Sequence, residues 1–186
     1  MGDIIRESIG LIEFSSIAKG IEAADAMLKA AAVELVMNRT ICSGKYIAMV
    51  TGDVAAVASS VHDGERVAAE AVIDTFIIPN VHPAIFPALT ATNTVSSLDA
   101  MGILESFSVA ALIEGADAAV KAADIELLEI RLAMALGGKA FVTMTGEVSA
   151  VRAAVDAGAE IIARQGLLVN KIVIPRPRPE IVREIL

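Results

Sequence analysis

The chain has 186 residues, a formal net charge of −8, one cysteine and no tryptophan. That length suits one large domain or two small ones. An acidic chain lacks the basic face that a nucleic-acid backbone or an anionic membrane surface requires, and one cysteine cannot close an internal disulfide.

Apolar residues make up 55% of the chain, yet charges interrupt nearly every segment. The longest uncharged run, 75–98, carries Pro79, Pro83 and Pro87 with several Thr, Asn and Ser residues, a poor composition for a membrane-spanning helix. The opening MGDIIRESIG has acids and no long apolar core, so it does not read as a signal peptide. A very apolar chain of this kind is expected to be cytoplasmic and to bury surface against other subunits.

In chain order, SIGLIEF (8–14) reads as a short apolar strand. SIAKGIEAADAMLKAA (16–31) has apolar residues at helical spacing, with Asp25 and Lys29 one turn apart on one face. VELVMNRTI (33–41) is a strand, SGK a turn and YIAMVTG (46–52) another strand. Asp53 is placed to cap a helix over 53–68, and VIDTFIIP (72–79) is a last strand ended by proline. The order then begins again. Residues 9–35 align without a gap over 101–127, matching Gly10 with Gly102, Glu13 with Glu105, Asp25 with Asp117 and Lys29 with Lys121. GKYIAMVTGDVAAVASSV (44–61) lies over GKAFVTMTGEVSAVRAAV (138–155), and IIPNVHP (77–83) over VIPRPRP (173–179).

A tandem duplication of a unit of roughly 90 residues follows, too short an array for a solenoid. Two similar domains are expected, 1–92 and 93–186, with the connector within the Thr-, Ser- and Asn-rich 88–99. The β-α-β-β-α-β order of each half is the split-βαβ, ferredoxin-like pattern, an α+β fold with helices over one face of an antiparallel sheet.

The helix ending A-D-A-x-x-K, the helix start G-[DE]-V-x-A-V and the final I-P-R-P resemble bacterial microcompartment shell proteins, over essentially the whole chain. The tandem arrangement resembles the trimeric two-domain class of that family, closest to the type found in propanediol-utilisation compartments. The resemblance implies two tandem BMC domains, three chains forming a pseudo-hexamer around a central pore, and tiling with other shell proteins into the compartment wall. It implies no enzymatic activity of the chain's own. The loops between the two inner strands would line the axis, with Ile41, Cys42, Ser43 and Gly44 from the first repeat and Leu136, Gly137 and Gly138 from the second. Lys29 and Lys121 match the family's edge lysine. Arg176 matches the arginine of I-P-R-P, where the first repeat has Asn80.

The resemblance also gives Cys42 a role. One thiolate per chain at a threefold axis brings three together, and thiolates hold iron–sulfur clusters. It implies one [4Fe-4S] cluster per trimer, one iron lacking a cysteine ligand, and transfer of electrons or of the cluster to encapsulated redox enzymes. Read from the residues alone, a single cysteine is ordinarily a small buried hydrophobe. Ser43 beside it either hydrogen-bonds cluster sulfur or makes the turn, and the turn is favoured. Lys45 and Lys139 follow glycine, but no G-x-x-x-x-G-K-[ST] is present, so a phosphate loop is not expected. His62 and His82 have no ligand partners at metal spacing, and no Ser/His/Asp set or G-x-S-x-G is present. Glu13 and Glu105 occupy one repeat position, which a structural role explains. Two alternatives stay open: a cluster-free tile whose pore passes metabolites, and a soluble ferredoxin-like regulator with a ligand pocket.

Overall fold

Strand β1 (Ser8–Phe14) is buried along its whole length, because its apolar residues serve both faces of a sheet in which it is central. Helix α1 (Ile17–Ala30) follows, capped by the Ser16 hydroxyl, which accepts the Lys19 N–H. Strands β2 (Glu34–Ile41) and β3 (Lys45–Gly52) form a hairpin. Helix α2 (Val54–Val67) starts where Asp53 accepts the Ala56 N–H at 2.8 Å, the cap read from the sequence, and such a cap contributes about 1 kcal/mol. Strand β4 (Val72–Pro79) closes the repeat. A short helix, α3 (Ile85–Leu89), separates it from the second set: β5 (Ala100–Ser106), α4 (Val109–Ala122), β6 (Glu126–Leu132), β7 (Ala140–Gly146), α5 (Val148–Arg164) and β8 (Leu168–Pro175). This is a computed structural model; it describes residues 7–42, 44–93, 98–133 and 136–181.

Each repeat forms one four-stranded sheet, ordered β2-β3-β1-β4 in the first and β6-β7-β5-β8 in the second, with every pairing antiparallel. This is the ferredoxin-like α+β arrangement the element order implied. The two helices of each repeat pack on each other and on the sheet. In the first, Ile12, Phe14, Met27, Val50, Val57 and Val61 belong to one core cluster. Gly10 and its twin Gly102 let the second helix of each repeat approach the central strand. A Cβ on Gly10 would stand 2.5 Å from Val61 Cγ2, and one on Gly102 would stand 2.8 Å from Val151 Cγ1 and Val155 Cγ2.

The chain divides into two compact units, 1–81 and 82–186. Residues 82–93 belong to the second. There α3 packs against β6 and α4, and Asn93 donates from Nδ2 to the Leu127 carbonyl at 2.6 Å. The first part of the expected connector, 88–93, therefore belongs to a segment tied to a sheet, and 94–97 lies outside the described residues. Among the described residues no helix is long and apolar enough to cross a membrane.

Candidate functional site: the inner-strand loops and the α1 and α4 edges

The β2–β3 turn carries Cys42. Ile41, the last residue of β2, is buried in its own unit; Cys42 is half-buried and Gly44 is exposed. Gly44 turns the chain at φ +72°, a left-handed value that glycine adopts without strain, and no atom lies within 4 Å of where its Cβ would be. Ser43 lies outside the described residues. The equivalent β6–β7 loop turns through Gly137 and Gly138 at φ +62° and +88°, closed by a hydrogen bond from the Lys139 N–H to the Leu136 carbonyl at 3.2 Å. Leu136 is half-buried and Gly137 exposed. Among the described residues no three His, Cys, Asp or Glu side chains stand together as a metal site. The chain's single thiol stands half-buried in the β2–β3 turn.

An ion pair that sequence reasoning missed supports each loop at its base. Lys45 Nζ reaches Glu13 Oε1 at 2.7 Å, and Lys139 reaches Glu105 at 2.6 Å. Glu13 and Glu105 each stand at a register shift in the pairing of the central strand with the edge strand, and a bulge of this kind re-aims a side chain. Both lysines thus pair with carboxylates. The signal was present in the sequence, since both partners recur in both repeats, but nothing in their spacing says that they touch.

The edge residues repeat as well. Lys29 pairs with Asp25, and Lys121 with Asp117, each one helical turn apart. The two acids differ in surroundings. Asp117 is buried, and its Oδ1 also accepts the backbone N–H of His82 at 2.8 Å; Asp25 is exposed. Arg176 follows β8 with its side chain exposed and φ +48°, as Asn80 follows β4 at φ +54°. Asparagine tolerates that left-handed conformation, whereas arginine is strained there by about 1 kcal/mol. Its N–H donates to the Asp99 carbonyl at 2.7 Å, which helps to hold it. His82 opens a turn, its Nδ1 accepting the Ala84 N–H at 3.3 Å.

Comparison with known proteins accounts for this duplicated plan. The family model described as "BMC domain" matches twice, at residues 8–81 and 100–177. The chain is 42% identical to the bacterial microcompartment shell protein PduT of Citrobacter freundii, over 97% of this chain and 98% of that one. It is 40% identical to the microcompartment shell protein EutM of Salmonella typhimurium over 84 residues, 45% of this chain and 85% of that shorter one. A crystal structure of a microcompartment protein from Desulfitobacterium hafniense superimposes with a TM-score of 0.91 at 51% identity, covering 96% of this chain and 99% of that chain. The chain belongs to the BMC-domain family and is a shell protein of its tandem, two-domain class.

Proposed function

We propose that three copies of this chain form a pseudo-hexameric tile of a bacterial microcompartment shell, and that their three Cys42 thiolates hold one [4Fe-4S] cluster at the threefold axis. Cys42 carries the reading. It is the chain's single thiol, it stands half-buried in the turn between the inner strands, and the equivalent turn of the second repeat is built on two glycines instead. The donor chemistry fits: sulfur is the ligand such clusters take, and one chain's single ligand demands assembly before binding. Bound there, the cluster supplies one-electron chemistry. The chain's own residues position the sulfur: the Glu13–Lys45 pair anchors the base of the turn, and Gly44 bends it without a side chain in the way.

In this reading the tile moves electrons, or the cluster itself, across the shell to enclosed redox enzymes, and has no catalytic residues of its own. Lys29, Lys121 and Arg176 form the outer edge, where tiles meet one another and other shell proteins. Iron and acid-labile sulfide, measured per trimer after anaerobic reconstitution, test the idea alongside Cys42→Ser. About four of each per trimer are expected, lost in a variant that remains trimeric. Iron retained in Cys42→Ser, or absent from both proteins, refutes the cluster and leaves a tile whose central opening passes metabolites.

A further inference from the structure

The arginine near the loop end of the second strand recurs in both repeats, and its surroundings do not. Arg39 faces Ile47 across β2–β3, and Arg131 faces Phe141 across β6–β7. Arg131 has two partners. Its Nε donates to Glu129 Oε1 at 3.0 Å, and its Cζ lies 5.5 Å from the centre of the Phe141 ring. Arg39 has neither. Met37 stands where Glu129 does, facing Met49 as Glu129 faces Thr143, and Ile47 takes the place of the ring. Arg39 makes no ion pair among the described residues, and its Nε is buried without a hydrogen-bond partner.

The acids of the same row are engaged or distant. From Arg39 the register runs through Ile47 on β3 to Glu13 on β1 and Asp74 on β4. Glu13 is held by Lys45 at 2.7 Å, and Asp74 is three strands from Arg39, about 14 Å at ordinary strand spacing. A buried guanidinium nitrogen without a partner is a cost, and the second repeat shows how the same sheet can satisfy it. The unmatched cation belongs to the repeat that carries the thiol. Arg39 precedes Cys42 by three residues, so their Cα atoms are at most about 11 Å apart. That is close to the screening length at moderate ionic strength, about 10 Å, and partly buried charges are screened less.

We propose that Arg39 is the counter-charge of the group held by Cys42: three arginines, one per copy, raise the reduction potential of the [4Fe-4S] cluster. The inference rests on the cluster reading above and deepens it. Reduction adds one electron and forms or breaks no bond, so the cluster with its three thiolates becomes one unit more negative. A fixed positive charge nearby favours that state, and net charge is among the properties that set such potentials. Met37 shares in the arrangement, because a carboxylate at its position would tie Arg39 down as Glu129 ties Arg131.

The test is an anaerobic redox titration of the reconstituted protein, with dithionite as the electron donor, read by the electron paramagnetic resonance of the reduced cluster. The midpoint of Arg39→Gln should lie at a more negative potential than the parent's, at unchanged iron content. Arg39→Lys keeps the charge and should stay nearer the parent. Met37→Glu should also move the midpoint negative, with Arg39 still in place. Midpoints equal to the parent's in Arg39→Gln and Met37→Glu, at parental iron content, overturn the tuning and leave the cluster reading standing. An Arg39→Lys midpoint as negative as that of Arg39→Gln overturns it too, because packing rather than charge would then be at work. A parent protein that binds no iron overturns both readings.

Discussion

The two loop-base ion pairs are equivalent by sequence and unequal by structure, which makes them a sharp test. The Glu13 side chain is 3% exposed and that of Lys45 31%; Glu105 is 31% exposed and Lys139 39%. Lys45→Met strands a carboxylate that water barely reaches. Breaking a buried pair by removing one partner costs about 3–5 kcal/mol, and the partial exposure of Lys45 reduces that to about 2–3 kcal/mol. Lys139→Met leaves a carboxylate that water already solvates, so about 0.5–1 kcal/mol is expected. For a chain of this size, 1 kcal/mol moves the thermal midpoint by about 2–4 °C. Thermal and urea unfolding followed by circular dichroism, at one protein concentration because the proposed assembly would shift the midpoint, should therefore separate the variants by several degrees. Glu13→Met combined with Lys45→Met should recover most of the loss, since two apolar groups leave no stranded charge. Equal losses at Lys45 and Lys139 would refute the reasoning, because burial would then not be what sets the cost.

Gly10→Ala should destabilise by about 1–3 kcal/mol, because its methyl group meets Val57 and Val61, and Val61→Ala should restore part of the loss; an unchanged urea midpoint would contradict the close approach. In the proposed tiling, Lys29→Ala with Lys121→Ala should reduce the formation of two-dimensional sheets, scored by electron microscopy, with the sedimenting oligomer unchanged, and sheets equal to those of the parent protein would remove both lysines from the edge. Burial raises the Tyr46 phenol above its ordinary value. Above about pH 10 the unfolded chain loses that proton before the folded one, so stability falls as pH rises through this window. Tyr46→Phe should lack that part of the alkaline decline, and identical alkaline profiles would argue against a perturbed Tyr46.

The elements of each repeat were legible because their signals are local. Alternation and apolar runs mark the strands, Asp53 marks a helix start, and Asp25 lies one turn from Lys29. The duplication gave a second reading of every element. The Glu13–Lys45 pair was not legible, because it forms across β1 and β3, between residues 32 positions apart, and no periodicity announces that they meet. The short helix α3 was not legible for a related reason: prolines and threonines crowd that stretch, and packing against β6 and α4 outweighs local propensity there.

The α1 and α4 faces show most plainly what one chain's sequence withholds. Both have the same stripe, the same capping serine and the same Asp–Lys step, so the sequence assigns them one role. Burial separates them. Ile113 is inside and Ile21 is outside, and the segment that seats on the second repeat recurs, shape preserved, at 176–181. A duplicated chain that satisfies one copy of a contact within itself and leaves the other copy open, both halves intact, has the parts for association with its own kind.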